Sequence, residues 1–492
     1  MTTRWLILPL LALALAGCWR SDDGPLEVAF IETRDGLFAS GVRLPSGAQH
    51  LRAATGAGLV ALNAQGEVIP ALANRWIVTD DGRSFIFRLR DGDWPDGREL
   101  TAESVRTALR QAIRRLDGTS LGLDLTPIAE VRTMAGRVIE IRLSSPVPML
   151  LQLLAQPELA LARGPNTNGD GSGEMRLERD GTTGVLTMKP PAARGIPAEA
   201  DWEQYVREID VRAASARQAV TQFDNGELDL VLGGGIGALP LADTGPLSRG
   251  TVRLDPALGL FGLQVRRGTG LLATASGREA IAMALDRAAL IEPFGIGGWI
   301  ATTRVVAPGL PGEPGDVAER WGDRSVEQLR AEAAGRVEAW RRGNGGEQAR
   351  LTLALERAPG LDLLFRELAR QLATIGVRLE RVSAGAVPDL VLVDRVARYA
   401  EARWFLNQFN CSLRHGLCSA DADVLVADAV ETADPVARAR LLAEAEAALS
   451  QANVYIPFGS PLRFSLVRGG VEGFAANAWA FHPLPPLAVI PR

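Results

Sequence analysis

Residues 70–115 read PALANRWIVTDDGRSFIFRLRDGDWPDGRELTAESVRTALRQAIRR and contain three consecutive structural signals. Residues 76–78 and 84–89 are rich in β-branched and aromatic residues, and an Asp-Asp-Gly turn between them indicates a β-hairpin. Two further Asp-Gly pairs then surround a Trp-Pro dipeptide. Thr101 has the side chain of a helix N-cap, and the amphipathic pattern behind it predicts a helix to about Arg115.

This order of residues resembles the family 5 extracellular solute-binding proteins of ABC importers, which include dipeptide- and oligopeptide-binding proteins. Their pattern is Pro-x-Leu-Ala-x-x-Trp, an Asp-Gly hairpin, Phe-x-Leu-Arg-x-Gly, an aromatic residue with Asp-Gly, and Leu-Thr-Ala-Glu-Asp-Val. The matching residues are Pro70, Leu72, Ala73, Trp76, Asp81, Gly82, Phe87, Leu89, Arg90, Gly92, Trp94, Asp96, Gly97, Leu100, Thr101, Ala102, Glu103 and Val105. The resemblance implies an α/β fold of the two-lobe periplasmic-binding-protein type (cluster C), with an extra subdomain in the first lobe.

Length and composition agree with such a fold. A chain of 492 residues exceeds one ordinary core and is expected to divide into two or three lobes. Residues 350–355, 361–375 and 377–382 predict a strand, a helix and a strand, which is the βαβ pattern of an α/β lobe. The formal net charge of -5 gives no support to nucleic-acid binding.

The predicted domain organisation has five parts. They are a signal peptide (1–17), a tether (18–25), a first lobe (26–50, 195–255 and 463–492), a subdomain inserted in that lobe (51–194) and a second lobe (256–462).

The N-terminus has the features of a bacterial lipoprotein signal. Arg4 precedes an apolar run over residues 5–16, and the run ends in Leu-Ala-Gly-Cys, so Cys18 is expected to become the lipid-bearing first residue. The alternative is an ordinary signal peptide followed by a cysteine without a role. Trp19, where an Asp would favour inner-membrane retention, leaves the choice of membrane open. No later stretch offers the ~18 apolar residues of a membrane helix, so we expect a lipid-anchored protein on the periplasmic side of the cell envelope.

The remaining cysteines, Cys411 and Cys418, form an even pair in an oxidising compartment, and we expect a disulfide between them. Two free thiols are the alternative. No metal site is predicted, because the three histidines are scattered and no Cys-x-x-Cys is present. The loop that starts at Asn166 imitates a calcium loop, but its twelfth position is Leu177 instead of a bidentate Glu. No cofactor is expected.

Enzymatic motifs are also absent from the sequence. There is no Gly-x-Ser-x-Gly elbow, no His-Glu-x-x-His and no phosphate-binding loop. Asp229 ends an Asn-Gly-Glu-Leu-Asp segment that resembles the family's helix-to-strand unit, so a structural role is preferred over a catalytic one. The sequence predicts a binding protein with no catalytic residues, and hydrolase activity ranks third among the functions considered.

The resemblance also suggests residues for the binding cleft. Arg357 occupies the place where dipeptide-binding relatives carry an arginine that pairs with the peptide carboxylate, although an exposed arginine at a strand end is the alternative. Anchoring the register on Tyr399 puts Arg395 where relatives have a cavity-lining Trp. The same register puts Arg398 where relatives have the Asp that holds the peptide ammonium.

An arginine cannot accept an ammonium, and two cations in a partly dry cleft repel each other. Glu401 is the residue that could take over the amine. We therefore hypothesise that Arg357, Arg395 and Arg398 favour an anionic or N-blocked solute.

The function implied by the resemblance is capture of a peptide-like solute between two closing lobes, followed by delivery to a membrane permease. Its partners would be the permease and ATPase subunits of an ABC importer, and the protein would act as a monomer. The alternative from another class is a degenerate family member that works without a transporter, as an envelope sensor or periplasmic chaperone. The departures from the peptide-binding pattern favour that alternative.

Overall fold

The computed structural model describes residues 24–134, 136–162, 171–197, 199–242, 250–311, 313, 317–383 and 385–490. The predicted signal peptide with Cys18, most of the tether and residues 163–170 lie outside this described part. Within it, no helix combines the length and the apolar character needed to span a membrane. The α-helices are Arg34–Leu37, Ser46–Thr55, Ala102–Arg115, Ser120–Asp124, Leu150–Leu154, Pro191–Arg194, Ala216–Asp224, Ala275–Ala284, Arg287–Ile291, Val326–Gly343, Pro359–Ala373, Ala402–Asn407, Ala420–Glu431, Pro435–Ala452 and Leu484–Leu487.

The predicted hairpin and its capped helix are confirmed. Strands Ala73–Val78 and Ser84–Leu89 pair in antiparallel fashion. Helix Ala102–Arg115 follows Thr101, whose side chain accepts a hydrogen bond from the backbone N–H of Ser104. The Ser104 hydroxyl in turn accepts from the backbone N–H of Thr101, which completes a capping box.

These elements belong to the inserted subdomain, which is built on a four-stranded antiparallel sheet. Helix Ala102–Arg115 turns its apolar face, including Val105 and Leu109, into the core beside this sheet. The strand order is Ala73–Val78, Ser84–Leu89, Val138–Leu143 and Ile128–Thr133. A separate two-stranded sheet pairs Val60–Leu62 with Val68–Pro70.

The first lobe contains a seven-stranded mixed sheet. Its central strand, Leu26–Ile31, is parallel to both of its neighbours, and antiparallel strands extend the sheet at each side. The order is Val252–Asp255, Arg463–Val467, Leu230–Gly235, Leu26–Ile31, Ile209–Ala214, Thr183–Met188 and Met175–Asp180.

The borders of the inserted subdomain differ from the predicted range 51–194. Strands Met175–Asp180 and Thr183–Met188 belong to the first lobe, because the second of them pairs with Ile209–Ala214 and their apolar faces fill that lobe's core. Helix Ser46–Thr55 crosses the other predicted border, and its buried face packs in the same core. The subdomain therefore lies between this helix and the two strands.

The second lobe has a five-stranded sheet. The predicted strand-helix-strand unit is confirmed, since Ala349–Ala354 and Val377–Val382 are parallel and Pro359–Ala373 connects them. The sheet order is Val377–Val382, Ala349–Ala354, Leu390–Val396, Gly259–Val265 and Tyr455–Gly459.

The chain crosses twice between the two sheets, at residues 256–258 and 460–462. Besides these crossings, the inserted subdomain and the second lobe are in direct contact. One buried apolar cluster contains Phe87 of the subdomain together with Phe405 of the second lobe. The inserted subdomain and the second lobe therefore share one packed apolar interface.

Candidate functional site

A cavity of about 550 Å³ lies where the two lobes and the inserted subdomain meet. This volume is within the range of small-molecule binding sites. Residues from segments 42–49, 119–124, 156–158, 394–398 and 479–482 contribute to its lining. A molecule held in this cavity would contact both lobes and the subdomain, so its binding would favour their closed arrangement.

Arg398 lines this cavity, but its charge is compensated. Its Nη2 lies 2.7 Å from Oε1 of Glu158, and its Nη1 donates to Oε1 of Gln49 at 2.6 Å. The Arg398 carbonyl also accepts a hydrogen bond from Nε2 of Gln156 at 3.0 Å. Because Glu158 neutralises the guanidinium, Arg398 does not supply the free positive charge that the sequence suggested. It joins the second lobe to the first lobe and to the subdomain.

Two further acidic residues of the lining are also engaged. Oδ1 of Asp394 lies 2.7 Å from Nη1 of Arg463, which follows a crossing between the lobes. Oδ2 of Asp255 lies 3.3 Å from Nε2 of His482. The charge of Asp394 is therefore paired with a cation, whereas Asp255 is hydrogen-bonded to a histidine.

Arg43 and Arg395 differ from these residues, because neither has a carboxylate partner within the described part of the chain. Nη1 of Arg395 donates to Oε1 of Gln408 at 3.0 Å, which is a neutral acceptor. Arg395 is exposed at the cavity wall, but the protein atoms around it lower its pKa, and the charges of Arg43 and Arg266 act in the same direction. The cavity thus has two positive charges on its wall that no described acidic side chain balances.

His415 reaches the cavity from a loop that a disulfide closes between Cys411 and Cys418. Burial lowers the pKa of His415, and the positive charges of Arg395 and Arg43 lower it further. The imidazole is therefore neutral at neutral pH. The charges of both unpaired arginines therefore act on one residue of the cavity wall.

Asp124 belongs to the subdomain and forms part of the cavity wall, with only 1% of its surface exposed. Its Oδ1 accepts a hydrogen bond from Nδ2 of Asn407, in the second lobe, at 2.7 Å. Burial raises the pKa of Asp124 to about 7, although the nearby charge of Arg403 acts in the opposite direction. This contact between subdomain and second lobe therefore contains a carboxyl group that titrates near neutral pH.

The structure places the five sequence-predicted residues in four different surroundings. Arg395 and Arg398 lie together in the cavity wall. Tyr399 is fully buried in the apolar core, with 0% of its surface exposed, and cannot contact a solute from that position. Glu401 lines a separate cavity of about 220 Å³ between subdomain and second lobe. Arg357 is exposed and lies outside the lining of both cavities.

These positions correct the predicted ligand set. Tyr399 and Glu401 do not reach the interlobe cavity, because the strand that carries Arg395 ends at Val396 and Tyr399 then enters the core. Arg357 follows strand Ala349–Ala354 and is exposed outside the cavity. A role for Glu401 in holding a ligand amine at this cavity has no structural support. Solute contact by Arg395 stays a prediction.

Sequence reasoning missed Arg43, Glu158, Asp124 and His415. None of them lies in a motif, and each reaches the cavity from a different segment of the chain. The disulfide loop was a usable signal for His415, because a short closed loop holds the residues inside it in place. For the other three, no local pattern indicates a position beside the cavity.

The fold and the cavity between its lobes define the class of periplasmic-binding-protein-like solute-binding proteins. The sequence matches the family of bacterial extracellular solute-binding proteins, family 5 (middle region), over residues 67–410. The chain belongs to this family.

Solved structures and curated relatives agree with that assignment. The Haemophilus influenzae OppA structure in complex with RPPGFSPFR has a TM-score of 0.80 and 17% identity, over 95% of this chain and 100% of that one. The probable deoxycholate-binding periplasmic protein YgiS of Escherichia coli is 32% identical over 128 residues, which are 21% of this chain and 22% of YgiS. The oligopeptide-binding protein OppA of Bacillus subtilis is 22% identical over 288 residues, 52% of this chain and 51% of that one. The matches therefore span about half or less of the curated relatives' length.

Proposed function

We propose that this protein is the substrate-binding lipoprotein of a peptide-type ABC importer, and that it captures an anionic or N-blocked solute. The solute enters the cavity between the lobes and is delivered to a membrane permease powered by ATPase subunits. The solute class is inferred from two arginines of the cavity wall, Arg43 and Arg395, which have no acidic partner among the described residues. The acidic residues of the same wall form hydrogen bonds or ion pairs with other side chains. A guanidinium suits this task because it can donate to both oxygens of a carboxylate.

The family and its relatives support the transport part of the proposal. The names of the relatives record binding of an oligopeptide in one case and of deoxycholate in another. A cavity of about 550 Å³ accommodates a short peptide or a compact organic acid. The lipid on Cys18 would hold the monomer at the membrane, on the periplasmic side, where it meets the permease.

A thermal-shift screen tests the proposed solute class. The purified chain from residue 19 onward would be heated with free-amine peptides, N-acetylated peptides and organic acids, including bile acids. We expect a saturable rise in melting temperature with acids or N-blocked peptides, because a solute at 100 times its Kd stabilises the folded state by about 2.7 kcal/mol.

A shift produced only by peptides with a free amine and no net negative charge would contradict the anionic proposal. Absence of a shift with every compound would contradict the transport proposal and favour a transporter-free envelope protein. Melting without any additive provides the baseline, and unrelated neutral sugars provide the control for non-specific stabilisation.

A further inference from the structure

The two uncompensated arginines of the cavity belong to opposite lobes. Arg43 lies three residues before helix Ser46–Thr55, whose buried face packs in the core of the first lobe. Arg395 lies on strand Leu390–Val396 in the sheet of the second lobe. Closing the lobes therefore brings two like charges toward each other across the cleft.

Several contacts indicate that the walls are close at this point. Gln49, on the helix that follows Arg43, accepts a hydrogen bond of 2.6 Å from Arg398, three residues after Arg395. His415 experiences the charges of both arginines, since each contributes to the lowering of its pKa. Arg43 and Arg395 are both exposed, so water screens part of the repulsion between their charges and the remainder opposes closure.

We propose that Arg43 and Arg395 form an anion subsite that spans the cleft, so that an oxyanion bound between them is required for stable closure. This inference rests on the proposed function and names the residues of the first lobe and second lobe that hold the solute's anionic group. A carboxylate bridges the two guanidinium groups and replaces their repulsion by two attractive contacts.

The same arrangement explains how binding couples to closure. An anion shifts the equilibrium only if it binds one state better than the other, and this subsite is complete only when the lobes are together. The contacts of Arg398, Arg463 and Asn407 across the interfaces favour closure in all conditions. The arginine pair opposes closure until an anion is present.

Small-angle X-ray scattering of the protein without solute tests this subsite. The probes are sodium sulfate and sodium chloride at equal ionic strength, applied to the wild type, to Arg43→Gln and to Arg395→Gln. Arg110→Gln is the matched control, because Arg110 is exposed on helix Ala102–Arg115, away from the cavity. Each variant's thermal melting confirms that it is folded.

In chloride at low ionic strength we expect the open-to-closed ratio of both cavity variants to be at least about threefold below that of the wild type, because one like charge has been removed. Sulfate should reduce the radius of gyration of the wild type and of Arg110→Gln more than chloride does. The difference between sulfate and chloride should be smaller in the cavity variants than in the wild type and Arg110→Gln, which separates binding from the general compaction that sulfate causes in every variant.

Equal responses of the wild type and Arg43→Gln would overturn the inference. The thermal-shift screen decides the proposed function separately, since it scores solute binding by the wild type alone. A protein that binds acids but shows no effect of Arg43→Gln in scattering keeps its proposed function and loses this subsite.

Discussion

Arg395→Glu is expected to abolish measurable binding of the acid that gives the largest thermal shift, with Kd raised at least about 100-fold. The substitution puts a carboxylate beside the solute's own negative group in the interlobe cavity. Arg395→Gln, which removes the charge without reversing it, should raise Kd about tenfold. Isothermal titration calorimetry at fixed ionic strength measures both changes.

Arg357→Glu provides the comparison for this experiment. Arg357 was the other arginine that the family resemblance suggested, but it is exposed and does not line the cavity. We expect its Kd to stay within about twofold of the wild type. Equal losses at positions 357 and 395 would show that the solute lies elsewhere, and no loss at Arg395 would refute the proposed role of its charge.

Asp124→Asn is expected to remove a pH dependence from the stability of the closed protein. Burial raises the pKa of Asp124 from its ordinary value of 3.8 to about 7. Between these values the folded state binds more protons at this site than the unfolded state does. Its contribution is therefore fully present below about pH 4 and is lost as pH rises through about 7.

The asparagine variant keeps an acceptor for Asn407 and cannot ionise. Its melting temperature should be close to that of the wild type at pH 4 and increasingly above it up to pH 8, with a difference in stability of at most roughly 4 kcal/mol. Differential scanning calorimetry at one-unit pH intervals measures the stability of both proteins. The contributions of other titrating groups cancel when the two stabilities are subtracted. A difference that is constant from pH 5 to 8 would mean that Asp124 titrates normally.

Asp124→Ala separates charge from hydrogen bonding. Alanine also removes the ionisable group, so its stability should lack the same pH dependence. It leaves Nδ2 of Asn407 buried without this acceptor, which should place its stability about 1–3 kcal/mol below that of Asp124→Asn at every pH. A pH dependence retained in both variants would have to come from another group.

The hairpin and capped helix at residues 73–115 could be predicted because their causes are local. The Asp-Gly turn and the Thr101 cap act on residues within a few positions of themselves. The family resemblance then supplied the two-lobe architecture. It also placed Arg395 and Arg398 in the cleft, since both follow from the register of a single strand.

The electrostatics of the site could not be predicted in the same way. Arg398 is neutralised by Glu158, 240 residues earlier in the chain, and touches Gln49, 349 residues earlier. Which arginine remains unpaired depends on such distant contacts and not on any sequence pattern. Among the residues that the structure describes, Arg395 has the neutral partner Gln408 and no carboxylate partner, so its charge stays available.

The subdomain border shows a related limit. Strands Met175–Asp180 and Thr183–Met188 carry the alternation of half-buried strands, but alternation does not tell which sheet a strand joins. Their pairing with Ile209–Ala214 assigns them to the first lobe. Sequence periodicity predicts that a strand exists, whereas its partner is determined by packing of the whole chain.

Native mass spectrometry tests the central claim most directly, namely that the protein holds a small solute between its lobes. The chain from residue 19 onward would be purified gently from its own host, and its mass compared with that of the same sample after unfolding and refolding. We predict an additional mass of one small acidic or N-blocked molecule, released on unfolding and absent from Arg395→Glu. A native mass equal to that of the bare polypeptide, unchanged after incubation with host extract, would contradict solute capture.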